Sequence, residues 1–165
     1  MSRFIKIAFV ALAVCAFAWA EPPSPKVDRI LVTKRDHQLS LMSGDKAIKT
    51  YSVALGRGGL EPKRQQGDGR TPEGTYRIDS RNRQSQFHRS LHISYPDAED
   101  RKRAKKAGVS PGGDIFLHGL LNGQGWIGKG HRAVDWTDGC IAVTDQEIEE
   151  IWGLVPNGTP IEIRP

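Results

Sequence analysis

The stretch IFLHGLLNGQGWIGKGHRAVDWTDGCIAVTDQE, residues 115–147, decides how this chain folds. It opens on a short apolar run, Ile115-Phe116-Leu117, which delivers His118-Gly119, and it closes on Thr137-Asp138-Gly139-Cys140 followed by Ile141-Ala142-Val143. Short apolar runs bounded by glycine read as buried strands. Between them, Gly123, Gly125, Gly128 and Gly130 with Trp126 and Trp136 read as an exposed loop. A histidine leaving one strand and a cysteine approaching the next can meet on one sheet, which makes Cys140 a candidate nucleophile and His118 its candidate base.

Downstream, Thr144-Asp145-Gln146-Glu147 is a capping box opening a helix through Trp152, with Ile148, Ile151 and Trp152 as its apolar stripe. Pro156-Asn157-Gly158 turns the chain into a last strand over Thr159 to Ile163. Upstream, the period-2 pattern predicts a meander: Arg29–Thr33, Gln38–Met42 and Ala47–Leu55. A Gly-, Lys- and Arg-rich loop over 56–70 follows, long enough to be functional. Thr71-Pro72-Glu73-Gly74 then feeds a strand through Ile78, and Arg89–Ser94 forms another. Pro96 to Gly108 has acids early, bases late and a closing glycine, so it reads as an exposed helix. Many short strands with two short helices make a mainly β domain of sandwich or barrel type.

The amino terminus reads as a signal peptide over 1–20: basic Arg3 and Lys6, an apolar Ile7–Phe17, and Ala18-Trp19-Ala20 as the cleavage site. The apolar run is too short for a membrane span. Leu12-Ala13-Val14-Cys15 loosely resembles a lipobox, but Val14 and the late cysteine argue against one. Residues 21–27 are a Pro-rich leader, and the domain proper runs over 28–165. Without residues 1–20 the chain holds 22 Lys and Arg against 19 Asp and Glu, a net charge of +3. That suits a wall polymer and is too little to argue for nucleic acid. Export would leave Cys140 as the single cysteine in oxidising surroundings, where a lone thiol beside an Asp-Gly turn points to reactivity.

Five histidines are present in the chain. His37 lies in a predicted hairpin turn and reads as solvated, while His88 and His92 bracket a short strand and read as structural or substrate-lining. His118 is held by a buried strand and His131 by a glycine-rich loop, so His118 is the preferred base. No ligand spacing for a metal is present, and no Gly-x-Ser-x-Gly elbow for a serine triad.

Thr71-Pro72-x-Gly74, Ile115-Phe116-Leu117-His118-Gly119 and Thr137-Asp138-Gly139-Cys140-Ile141 together resemble the L,D-transpeptidase catalytic domain (YkuD) family. The resemblance implies a β-sandwich or barrel with one or two short helices, and the export to the periplasm or cell envelope expected from the signal peptide agrees with it. It implies Cys140 as acylated nucleophile, His118 as base, the Gly119 carbonyl orienting the imidazole, and backbone N–H groups of Gly139 and Cys140 as the oxyanion hole. The implied partners are peptidoglycan stem peptides, with a wall-attached protein as a further possibility, and no cofactor. Hydrolysis through the same thioester is the alternative, because Cys140-Ile141-Ala142-Val143-Thr144 is similar to a branch of the family that includes hydrolases. Two positions depart from the pattern: Asp138 stands where the family has His, and Ala142 where it has Arg. Arg132, Lys129 or His131 is the expected partner of Asp138, and Arg57, Arg70 or Arg89 the substitute for the missing arginine. His131, Asp138, Trp136, Trp126, Tyr95 and His92 are the expected substrate-lining residues.

Overall fold

The computed structural model describes residues 26–165; the expected signal peptide, and all but the end of the Pro-rich leader, lie outside the described residues. Eight strands follow in order: β1 (Arg29–Thr33), β2 (Gln38–Ser43), β3 (Lys46–Ser52), β4 (Gly74–Ser85), β5 (His88–Ile93), β6 (Ile115–His118), β7 (Ile141–Ala142) and β8 (Pro160–Arg164). Two α-helices, α1 (Ala98–Ala107) and α2 (Asp145–Leu154), complete the set with 3₁₀ turns over Gly125–Ala133. The spatial strand order is β3-β2-β1-β8-β4-β5-β6-β7. The twelve-residue β4 joins the two halves: Gly74–Arg77 pairs with β8, and Ile78–Ser85 pairs with β5 across two register shifts. Beyond β3 the chain crosses to the other edge, where Ala54 and Ala142 exchange backbone hydrogen bonds of 3.0 and 2.9 Å. The segment after β3 thus covers the edge at β7, while β3 itself pairs only with β2.

Period-2 alternation explains which residues face inward. Ile30 and Val32 of β1, Leu39 and Leu41 of β2, Leu91 and Ile93 of β5, Ile115 and Leu117 of β6, and Ile161 and Ile163 of β8 form one core with Tyr76 and Ile78. Ile148 and Ile151 of α2 close it from outside. Strand β3 departs from the expected span: it ends at Ser52 and is mostly exposed, and the buried Val53-Ala54-Leu55 belongs to the crossing segment. Both helices carry their capping boxes, Asp97 with Asp100 and Thr144 with Glu147, and Gly108 closes α1 in the left-handed region. The 3₁₀ turns, kinked at Gly128, stand where the sequence reads as an irregular loop. His37 is not simply solvated, since its Nε2 lies 3.0 Å from Asp135 Oδ2.

The loop over 56–70 is cross-braced. Burial alone would raise the Asp68 carboxyl, but the Lys63 ammonium and the N–H groups of Arg64, Gln65 and Arg70 hold it down at about 2. Below the loop lies Lys34, fully buried at the end of β1, its Nζ donating to the carbonyls of Glu61 (3.2 Å) and Thr71 (3.1 Å) and to Glu73 Oε1 (2.8 Å). All three ammonium protons are thus satisfied.

Candidate active site

Strands β6 and β7 run parallel and in contact, with Leu117 opposite Ile141 and His118 opposite Ala142. That register sets Cys140 beside Phe116, two residues short of His118, an offset of about 7 Å along a strand. Both side chains face the same side of the sheet, because the strand period puts positions 116 and 118 on one face and Cys140 stands beside 116. Cys140 and His118 both line a cavity of about 670 Å³, with Phe116, Phe87, Trp136 and Asp138 among its other walls.

His118 is buried, and its Nδ1–H donates to the carbonyl of Gly119 at 2.7 Å. This commits the tautomer and leaves Nε2 as an acceptor. The ring is packed by Phe87, centroids 4.5 Å apart, and edge-on by Trp136 at 5.7 Å. Burial pushes the imidazole down to about 4, against the Gly119 hydrogen bond, which favours the proton. The Cys140 thiol moves the other way. Burial raises it, with the Asp138 and Asp114 carboxylates adding to the effect and the Phe116 N–H and Lys63 opposing it. Its Sγ accepts from the Phe116 N–H at 3.4 Å and its S–H donates to the Asp114 carbonyl at 3.7 Å. At neutral pH the pair is therefore thiol and neutral imidazole, an arrangement that suits proton transfer during a nucleophilic attack rather than before it.

The turn that presents Cys140 is held from one hydroxyl. Thr137 Oγ1 donates to the Cys140 carbonyl at 2.7 Å and accepts from the Gly139 N–H at 3.2 Å. Thr137 itself exchanges backbone bonds with Leu55 and Arg57. The Gly139 N–H, expected in the oxyanion hole, is thus already engaged, which leaves the Cys140 N–H as the donor of that pair. Gly139 has φ +125°, and a Cβ there would lie 2.6 Å from the Arg70 carbonyl oxygen, which is backbone and cannot step aside. Gly139→Ala is expected to cost about 2–3 kcal/mol in denaturant unfolding. The displaced Cys140 should also alkylate with altered kinetics; a variant as stable as the parent would contradict this packing.

The remaining expected residues are placed unevenly. Trp136 and Asp138 line the cavity. Asp138 pairs with Arg57 at 2.7 Å rather than with Arg132, Lys129 or His131, because the loop over 56–70 reaches the cavity mouth and Arg132 is taken by Glu147. Arg57 is consequently the arginine brought to the rim, whereas Arg89 pairs with Glu149 beside Trp152 and Arg70 Nε donates to Gly58. His131 is buried behind the wall, its Nδ1 accepting from the Trp136 indole at 3.4 Å. His92 stands behind Phe116, edge-on at 4.9 Å, and bonds Asp79 at 2.6 Å. Trp126 is 84% exposed and Tyr95 is in the core against Tyr76, so the structure places neither on this cavity. The β4–β5 hairpin supplies walls the sequence did not announce, Asn82, Ser85, Gln86, Phe87 and Ser90. Their polar run carries no periodic signal, and only the pairing of β5 with β6 brings them there. Among the described residues no cluster of His, Cys, Asp or Glu is placed to hold a metal ion.

The family model described as the L,D-transpeptidase catalytic domain (YkuD) matches residues 27–163. YafK of Escherichia coli K12, named among the L,D-transpeptidases, is 29% identical over 137 residues, covering 80% of this chain and 48% of YafK. The chain thus spans about half the length of that curated relative. Among solved structures, the helical cell shape determining protein Pgp2 of Campylobacter jejuni (K307A mutant) superposes with a TM-score of 0.64 at 22% identity, over 83% of this chain and 46% of Pgp2. Bd1075 of Bdellovibrio bacteriovorus gives 0.59 at 23%, over 84% and 48%. An L,D-transpeptidase of Xylanimonas cellulosilytica gives 0.57 at 14%, over 86% and 62%. At these identities the likeness is one of fold.

Proposed function

The chain belongs to the L,D-transpeptidase catalytic domain family, and from that premise we propose that it is an exported cysteine acyltransferase that remodels the cell wall by acting on peptidoglycan stem peptides. The observation that carries the reading is the shared cavity of Cys140 and His118, with His118 Nδ1 committed to Gly119 and Nε2 left to accept a proton. In this reading Cys140 Sγ attacks a stem-peptide carbonyl while His118 Nε2 takes the thiol proton. The carbonyl oxygen gathers charge against the Cys140 N–H. Collapse breaks the C–N bond, His118 returns the proton to the leaving amine, and a thioester remains. An acceptor amine then attacks the thioester, His118 takes its proton, and the thiol is regenerated. Because the imidazole is neutral at rest, no ion pair has to form before substrate arrives.

The test is intact-mass analysis with tetrapeptide muropeptides, beside Cys140→Ala. Crosslinked dimers and a mass adduct on the protein, both absent from the variant, are the expected result. Shortened monomers without dimers would move the protein to hydrolysis, where water replaces the amine. Substrate left intact by the wild type would overturn the reading.

A pH dependence follows from the depressed imidazole. The acid limb of kcat/KM should fall near pH 4, not near the ordinary histidine value, because His118 stays neutral down to about 4. Stability carries the same signature. The unfolded chain takes up a proton at this histidine near pH 6.5 while the folded chain does not until about 4. Acidification through that window therefore favours unfolding, by roughly 3 kcal/mol at most. Full stability is present above pH 6.5, and His118→Gln, measured by denaturant titration at pH 7 and pH 4.5, should flatten the difference.

A further inference from the structure

We propose that Asp145 is a positioning residue for His118 that acts on the imidazole through the peptide bond between Gly119 and Leu120. The Leu120 N–H donates to Asp145 Oδ1 at 2.8 Å, and the Gly119 carbonyl accepts from His118 Nδ1–H at 2.7 Å. These two groups belong to one amide. In a planar trans peptide the N–H and C=O point in opposite directions, so one amide links a carboxylate on one side to an imidazole on the other. A carboxylate on the N–H end polarises the amide and makes its oxygen a stronger acceptor, as in any chain of hydrogen bonds in a low-dielectric interior. The imidazole thus feels a carboxylate that it never touches.

The surroundings are shaped for that carboxylate. A Cβ on Gly119 would lie 2.8 Å from Asp145 Oδ1, and a Cβ on Gly125 would collide with Oδ2, so two glycines of the central stretch clear its place. Capping does not explain it, because the box at the start of α2 is made by Thr144 and Glu147. Lys129 and Glu147 line a shallow pocket with Asp145, and Glu149 holds the far side of His88. His88 Nδ1 stands 3.9 Å from Asp145 Oδ2, Cys140 and Asp138 share the cavity with His118, and His131 lies behind Trp136.

This inference rests on the proposal that His118 is the base, and its test separates the two. Asp145→Asn keeps an oxygen for the Leu120 N–H and removes only the charge. The expected result is a kcat lower by about tenfold with KM and melting temperature near those of the parent. The His118 Nδ1–H proton resonance should move upfield. Asp145→Ala, which also removes the acceptor, should lose more kcat. An Asn variant with parental kcat and an unmoved resonance would overturn the inference and leave Asp145 a structural residue. If the wild type turned over no stem peptide, the functional proposal would fail, while the resonance would still decide whether Asp145 polarises the amide.

Discussion

His118→Ala should slow acylation of Cys140 by about a thousandfold at pH 7, within the range that a positioned general base contributes. The size follows from the resting protonation states. The thiol sits above its ordinary value because burial disfavours the thiolate, with the Asp138 and Asp114 carboxylates adding to the effect, so little thiolate exists without help. Removing the imidazole leaves the neutral thiol as the attacking species. The measurement is single-turnover mass spectrometry of the protein with a carbapenem, whose strained β-lactam carbonyl should acylate Cys140 and leave a thioester adduct to count. The defect should shrink as pH rises, because hydroxide then makes the thiolate that His118 no longer makes. A defect that stayed constant with pH would point to lost packing against Phe87 and Trp136 instead. Cys140→Ala should give no adduct at any pH.

Lys34→Met should be the most damaging change away from the cavity, with a loss of about 3–5 kcal/mol. Methionine fills much the same volume but leaves the Glu73 carboxylate and the carbonyls of Glu61 and Thr71 without their donor. For a domain of this size the melting temperature should drop by roughly 10 °C or more. Lys34→Met with Glu73→Gln should cost less than the sum of the two, since the second change removes the charge that the first exposes. Additive losses would contradict the pairing. The effect should also reach the cavity: Thr71 Oγ1 accepts from Gly56 N–H, and the adjoining Leu55 and Arg57 hold Thr137 beneath Cys140.

Much of the fold was legible from local pattern. Alternation in Arg29–Thr33 marks β1 at its observed span, since inward Ile30 and Val32 are what a one-sided strand must bury. The helix over 96–108 declares itself by charge order and by Gly108, whose positive φ lets the chain reverse. Where local pattern misled, tertiary pairing overrode it. Val53-Ala54-Leu55 continues the β3 alternation but leaves that strand to reach Ala142. Trp126 has the composition of a wall residue and stands in solvent, whereas Phe87, in an unremarkable polar run, packs on His118.

The sequence by itself determined the nucleophile and base candidates, because the spacing of His118-Gly119 and Gly139-Cys140 within apolar runs is a local property that survives any arrangement of the rest. It also determined the family, the capping boxes and the mainly β class. Only the tertiary structure decided what surrounds those two side chains. Asp138 found Arg57 across the cavity mouth, Lys34 found acceptors 27 to 39 residues away, and Asp145 came to the far side of the amide that holds His118. Partners of that kind are set by sheet order and closure, and a hydrogen bond between residues distant along the chain leaves no period in the sequence to be read.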